Sequence, residues 1–399
     1  MRPLQGGLKL EGKKEATTIP WTITRPSPPR KVRIPLIEKA QPLVSIDDRV
    51  RVGEKIAEKP GEFPISIHAS ISGKVTGVVD TIEIISDGKD EPILEIGRER
   101  HGWESLSNEE TIRILHDSGV EVPVPPVVDT LILNGCESEP YLTSDYCLLT
   151  SHPVEVLKAG EILRRTLGAK EVVLAIEKDK EDAAEVLRSK IFFHRWPHSR
   201  VEVFPSSYPQ EDERILAREL VPPGQKALVL SVSTAFAAYE AVVHQKPFYE
   251  RAVTVGGECV AQPRNFWLRV GTSVEEAVKY ARGFLRQPEK IVLGGPMKGT
   301  AIDALDTPIL KETRGILGLP KEIVEPESVE PCIRCGRCVD HCPAGISPVM
   351  ITLAAEKGLF EVAKDYGVSL CIECGNCSYV CPAKRPMVEL MRYASINAC

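Results

Sequence analysis

Residues 332–343 read CIRCGRCVDHCP, and residues 371–382 read CIECGNCSYVCP. Both follow one pattern, C-x2-C-x2-C-x3-C-P, and together they use eight of the twelve cysteines in the chain. Three thiols spaced in this way lie on a single turning loop and can reach three corners of a polynuclear centre. The fourth opens a segment that leads away, and the proline ends the loop. Zinc prefers two separated ligand pairs around one tetrahedral ion. A run of three plus one, occurring twice, suits iron–sulfur chemistry better.

This spacing is the bacterial ferredoxin run, in which the fourth cysteine of each repeat serves the other cluster. Cys332, Cys335, Cys338 and Cys381 are therefore expected to hold one [4Fe–4S] cluster, and Cys371, Cys374, Cys377 and Cys342 a second. The spacer 346–370 has helical character, with Met350, Leu353, Ala354, Phe360, Val362 and Ala363 as its apolar set, so the domain should be a helical ferredoxin variant. Arg334, Arg337 and Lys384 would raise the cluster potentials and Glu373 would lower them. Cys136, Cys147, Cys259 and Cys399 are isolated and read as small buried hydrophobes.

The whole chain has 399 residues, a length that suggests two to four domains. Hydrophobic residues make up 43% and charged residues 27%, an ordinary globular mix. With 50 basic and 56 acidic residues the net charge is −6, which argues against a general nucleic-acid binder. The longest promising apolar stretch, 227–239, is closed by Glu240, and a spanning helix needs roughly 20 apolar residues. Residues 1–14 are polar and carry no secretory pattern. The expected location is the cytoplasm, free or docked on a membrane complex, where dense cysteine signals metal or redox chemistry.

Upstream of the cysteines the pattern changes several times. Prolines 20, 26, 28, 29 and 35 keep 18–35 extended. Short strands over 32–36, 42–46, 50–56, 65–69, 73–79 and 82–86, broken by glycine and Asp47–Asp48 turns, suggest a small barrel or sandwich. Strands at 130–133, 172–176, 201–204 and 227–231 then alternate with helices at 108–118, 152–167, 181–190, 211–220 and 234–243, the signature of a parallel sheet. Strands at 251–255, 266–270 and 290–293 with a helix at 274–284 form a small α+β unit. The acidic, proline-rich PKEIVEPESVEP, 320–331, reads as a linker.

With this order in view, nearly the whole chain resembles RnfC, the C subunit of the Rnf electron-transport complex. LQGGLKL (4–10) is similar to that family's opening, and 44–78 resembles its barrel-sandwich hybrid domain. That domain is similar to a lipoyl carrier, but the hairpin at 66–70 lacks the modifiable lysine, so it should be a structural or docking module. NGCESEPYLTSD (134–145) and SVSTAFAAYEAV (231–242) resemble the flavin- and NADH-binding domain of the complex I 51-kDa subunit. Carried over from that family, Asn134, Glu137 and Glu139 would line the flavin and nicotinamide pocket. VTVGGECVAQPRNFWLRVGT (253–272) and GGPMKG (294–299) resemble the β-grasp, SLBB-like domain that follows. The expected fold is thus a multidomain α+β chain: barrel-sandwich hybrid (1–104), α/β domain (105–247), β-grasp domain (248–319), linker (320–331) and two-cluster ferredoxin domain (332–399).

One departure stands out. The family carries a glycine-rich loop, G-x-G-G-A-x-F-P, before the strand that ends at Asn134. Here 117–129 reads DSGVEVPVPPVVD, with one glycine and three prolines. Proline has no N–H to offer a phosphate, and a phosphate cradle needs several. The family's Y-P-x-G-x-E stretch is YPQEDERIL (208–216) here, and Glu211 and Asp212 would repel phosphates. The departure argues against NADH and weakens the case for FMN; Asn134, Glu137 and Glu139 could be relics with structural uses.

The resemblance implies a peripheral subunit on the cytoplasmic side of a membrane-bound, ion-translocating oxidoreductase. It would relay electrons through two [4Fe–4S] clusters to or from other Rnf subunits and a protein redox partner, a cytochrome or a ferredoxin. Three alternatives remain at this point: a soluble reductase or adaptor of the corrinoid- or proline-reductase type, an ordinary flavin-dependent NADH oxidiser, and a zinc-filled scaffold.

Overall fold

The computed structural model describes residues 4–18, 22–125, 127–324 and 328–398. Pro20, Pro126, Cys399 and residues 325–327 of the expected linker lie outside them.

The chain begins with a strap, 4–18, that ends in a short helix, α1 (Glu15–Thr18). Two small antiparallel sheets follow. β1 (Lys31–Pro35), β7 (Thr81–Ser86), β6 (Gly73–Val78) and β3 (Arg49–Val50) form one; β2 (Gln41–Pro42), β4 (Lys55–Lys59) and β5 (Ile65–His68) form the other. Alternating Val32, Ile34, Val75, Ile82 and Ile84 are buried between them. The strand expected over 50–56 divides in two at Gly53, whose φ of 80° only glycine adopts without strain. The strand expected over 42–46 shortens to β2, where Pro42 offers no N–H to extend the pairing. The 66–70 hairpin is buried against the rest of the molecule, with Ser70 Oγ donating to the Val270 carbonyl at 2.6 Å.

A capping box, Ser107 with Glu110, starts α2 (Asn108–Asp117). The next unit is a four-stranded parallel sheet in the order β10-β9-β8-β11. Its elements run β8 (Thr130–Asn134), α3 (Ser144–Ser151), α4 (Pro153–Leu167), β9 (Glu171–Glu177), α5 (Glu181–His194), β10 (Ser199–Phe204), α6 (Glu213–Leu220), β11 (Ala227–Ser231) and α7 (Val232–His244). β8 and β9 are almost continuously apolar because helices cover both faces. Gly168, in the left-handed conformation, stops α4. The sequence gives no sign of α3. Its apolar residues show no helical period, since every residue from Ser144 to Leu149 is buried.

The third unit is a mixed sheet, β13-β12-β16-β14-β15, with one helix. It comprises β12 (Glu250–Gly256), β13 (Arg264–Arg269), α8 (Val274–Tyr280), β14 (Lys290–Leu293), β15 (Thr300–Ile302) and β16 (Gly315–Leu319). No sequence pattern marks β16 (GILGL); its two glycines mask a fully buried central strand. The expected linker includes a short helix, α9 (Lys321–Val324). The last unit is helical: α10 (Arg337–Asp340), α11 (Pro348–Glu356), α12 (Phe360–Asp365), α13 (Asn376–Tyr379) and α14 (Met387–Asn397), packed on Ile351, Ala355, Ala363, Met391 and Ala394.

Candidate redox site

Each cysteine loop is shaped by left-handed residues. Arg334 (φ 56°) and Gly336 (φ 80°) fold the first loop; Glu373 (φ 52°) and Gly375 (φ 80°) fold the second in the same way. The backbone N–H of Arg334 donates to Cys332 Sγ and that of Glu373 to Cys371 Sγ, both at 3.4 Å. These turns set three thiols on the inside of each loop.

The fourth thiol crosses over. Cys332, Cys335, Cys338 and Cys381 line one hollow, walled by Val349, Ala383 and Met387. Cys371, Cys374, Cys377 and Cys342 line another, walled by Ile346, Val388 and Met391. Among the described residues no three His, Cys, Asp or Glu side chains converge on a point for a single ion. The thiols ring a hollow, as donors to a polynuclear group do; zinc thiolates would meet about 2.3 Å from one centre. Thiol donors, apolar walls and loop shape all fit a cubane.

The two hollows have different surroundings. The second faces inward: Cys374 and Cys377 are buried. The Tyr208 hydroxyl donates to the Cys374 carbonyl at 2.7 Å, Arg214 to that of Cys371 at 3.4 Å, and Arg218 to that of Pro343 at 3.1 Å. The strap covers it as well. Asn376 Nδ2 donates to the Gly6 carbonyl at 3.1 Å, and a Cβ on Gly6 would stand 2.6 Å from the Cys342 carbonyl carbon. The first hollow faces outward, with Cys335 exposed.

Beside the inward hollow lies the crevice at the carboxyl ends of the parallel strands, where open α/β sheets bind ligands. Asn134, Glu137 and Glu139 sit here, and each is tied up within the protein. Asn134 Nδ2 donates to the Glu211 carbonyl (2.8 Å), and its Oδ1 accepts from Cys136 N (3.1 Å). Glu137 caps α3, accepting from Asp145 N (2.8 Å) and Tyr146 N (2.9 Å). Glu139 accepts from Met297 N (3.0 Å) and Lys298 N (2.8 Å) in the GGPMKG turn. Gly295 is needed in that turn because a Cβ there would lie 2.3 Å from the Glu139 carboxyl.

These carboxylates stand in a buried charge network that the sequence did not disclose. Burial, and then repulsion from Asp145, raises the pKa of Glu137. Burial and Glu211 lift Glu139 to about 7. Burial works against the charge on Lys180, but Glu177, Glu137 and Asp179 outweigh it and raise its pKa. Arg314 bridges Asp145 and Glu211, each at 3.3 Å, and Lys298 pairs with Asp212 at 3.0 Å. The Lys14 ammonium of the strap donates to the Glu137 carbonyl. Glu211 and Asp212, expected from the sequence to repel phosphates, are thus neutralised internally. Of the isolated cysteines, Cys136, Cys147 and Cys259 are all buried, and burial raises each thiol pKa.

A cavity of about 340 Å³ lies elsewhere, where the first three units meet. It is lined by Gly119 and Glu121 from the shortened loop, Ser231 and Thr234 at the start of α7, and Arg251, Lys311 and Arg314. Asn134, Glu137 and Glu139 do not line it. The start of α7 opens on this cavity, while Asn134, Glu137 and Glu139 bond within the protein.

Comparison with known proteins agrees with this order of units. Models described as the RnfC barrel sandwich hybrid domain, the Nuo51 FMN-binding domain, the SLBB domain and the 4Fe-4S dicluster domain match residues 3–96, 118–239, 252–301 and 326–385. The chain is 34% identical over 433 residues to the C subunit of the proton-translocating ferredoxin:NAD(+) oxidoreductase complex of Clostridium ljungdahlii, covering 98% of this chain and 93% of that one. It is 34% identical over 434 residues to the C subunit of the ion-translocating oxidoreductase complex of Rhodobacter capsulatus, covering 98% and 82%. Among solved structures, an NAD+-reducing [NiFe]-hydrogenase shares the fold, with a TM-score of 0.50 at 15% identity over 76% of this chain and 65% of that one. The chain belongs to the RnfC family, whose members are C subunits of ion-translocating oxidoreductase complexes.

Proposed function

We propose that this protein is the electron-relaying C subunit of an Rnf-type complex and does not itself take a hydride from NADH. The observation that carries the reading is the contrast between the two regions: two rings of four thiols, one against the α/β domain and one open to solvent, beside a crevice whose acidic residues are committed to internal hydrogen bonds. Cys332, Cys335, Cys338 and Cys381 would hold one [4Fe–4S] cluster, and Cys371, Cys374, Cys377 and Cys342 the other. When bound, such clusters supply one-electron storage.

The chain's own residues set the surroundings. Tyr208 and Arg214 pin the inward loop to the α/β domain by donating to its carbonyls, and Arg218 holds the segment after the crossing Cys342 by donating to the Pro343 carbonyl. Val349, Ala383 and Met387 wall the outward ring with apolar surface. Glu137 fixes α3 and Glu139 fixes the 294–299 turn. With their oxygens so engaged, neither is free to orient a nicotinamide. No helix among the described residues is long and apolar enough to cross a membrane. Attachment to the cytoplasmic side of the membrane would therefore come through other Rnf subunits. The redox partner would be a protein, a cytochrome or ferredoxin.

A second reading is favoured by the cavity where the first three units meet. The start of α7 with Arg251, Lys311 and Arg314 could receive a flavin phosphate by a route that bypasses the missing glycine loop. Iron, sulfide and extractable flavin in the anaerobically purified protein, with NADH added, separate the two. About eight irons with no flavin and no bleaching by NADH supports the relay, eight being the content of two four-iron clusters. Stoichiometric flavin with bleaching refutes it and supports the NADH oxidiser. Flavin in a protein that works without membrane subunits would favour the soluble adaptor.

A further inference from the structure

We propose that the outward cysteine loop, with Ile333, Arg334, Arg337 and Lys384 around it, is the docking surface for an acidic redox protein. The proposal rests on the electron-relay reading above and deepens it by assigning one end of the relay.

The argument comes from comparing the two repeats position by position. In the inward loop, Glu373 pairs with Arg392 at 2.5 Å, and Asn376 is buried and bonded to the strap. The loop carbonyls receive Tyr208 and Arg214. The same two positions in the outward loop are Arg334 and Arg337. Both are exposed, and neither has an ion pair among the described residues. Cys374 is buried, but its counterpart Cys335 is exposed. Gly345 of the first run corresponds to Lys384 of the second, and both backbones are left-handed (φ 69° and 48°). A lysine costs free energy there where glycine would not, and this one is exposed beside the outward ring.

The face therefore presents two exposed arginines with no ion pair among the described residues, and the exposed Lys384 beside them, on a chain whose net charge is −6. Among the described residues the carboxylates on this side include Asp340 on α10, Glu330, whose N–H donates to the Ala383 carbonyl, and Glu356, which is paired with Arg385 at 2.7 Å. Near the arginines in sequence, Ile333 is 67% exposed, and Val329 and Val339 are exposed as well. Apolar side chains bordered by charged ones are the usual anatomy of a protein interface. A cationic face attracts a partner of negative surface and repels a basic one. A small interface of this kind suits the brief encounters of electron transfer.

The test uses the anaerobically purified full chain, its iron measured first. The probe is a small acidic bacterial ferredoxin with two [4Fe–4S] clusters, and a basic c-type cytochrome is the control. Calorimetric titration at low and high salt should give a ferredoxin Kd that weakens about tenfold or more with salt. The Arg334→Glu/Arg337→Glu double variant should weaken it similarly at low salt with its iron content intact. The Arg334→Lys/Arg337→Lys variant should keep the affinity, as should Arg188→Glu on α5. Absence of ferredoxin binding, salt-insensitive binding, equal binding by the charge-reversed variant, or preference for the cytochrome would each overturn the proposal. Iron content reads the relay and affinity reads the surface, so the two can fail separately.

Discussion

Replacing Glu137 by glutamine distinguishes a carboxylate that holds the fold from one that holds a cofactor. Glu137 is 0% exposed, and its two oxygens accept from Asp145 N and Tyr146 N at the start of α3. Glutamine keeps the shape and one acceptor but turns an NH2 toward the other N–H. The loss is one charge-assisted hydrogen bond, about 1.5–3 kcal/mol. Removing the negative charge from a helix N-terminus adds up to about 2 kcal/mol in a buried setting. Two terms act the other way, because burial and Asp145 both oppose the charge on Glu137. The net expectation is a loss of about 2–3 kcal/mol. For a unit of this size each kcal/mol moves the midpoint by about 2–4 °C, so the transition of the α/β unit should fall by about 4–12 °C. Scanning calorimetry of the iron-loaded protein, with flavin and NADH response measured on the same samples, provides the check. An unchanged transition together with loss of bound flavin or of an NADH response would refute the structural role.

Three further outcomes are expected. Cys338→Ser and Cys381→Ser, though 43 positions apart, should disturb the same cluster and leave the spectroscopic signal of the other; if Cys381→Ser instead damages the cluster of Cys371, Cys374 and Cys377, the crossed pairing fails. Gly6→Ala forces a Cβ to within 2.6 Å of the Cys342 backbone at a left-handed φ of 72°, so the strap should lift and limited proteolysis should cut within 4–18; a protected strap would show that the contact yields. Glu250, almost fully buried, pairs with Arg25, Lys246 and Arg269. Burial opposes its charge, but the three cations prevail and hold its carboxyl at about 2, below the ordinary 4.5. A depressed carboxyl contributes stability above the unfolded value, which is lost as pH falls from 4.5 through about 2, and the shift is worth about 3 kcal/mol. Glu250→Gln should lower stability by about 3 kcal/mol at pH 7 and flatten the acid limb of the profile, read by denaturant titration at several pH values.

Much of the order of units is legible because each has its own period. Alternation marks β1 and β7, the βα rhythm marks β8 through α7, and the cysteine spacing marks the last unit. Elements escape where burial is complete. α3 has no polar face to show a period, and β16 carries glycines that read as turns. Each of these elements packs on a surface built from distant parts of the chain, and tertiary context overrides local preference there.

The sequence by itself determined the chemistry: which thiols exist, how they are spaced, and that the glycine loop is replaced by prolines. Those are local facts, and spacing along a loop suffices to express them. Only the tertiary structure decided how that chemistry is placed. Tyr208 meets Cys374 across 166 residues, Asn376 meets Gly6 across 370, and Lys14 meets Glu137 across 123. These contacts make one thiol ring the inner one, leave the other facing solvent, and commit Glu137 and Glu139 to packing. Two nearly identical motifs carry no mark of which will be covered, because covering depends on partners that only folding brings near.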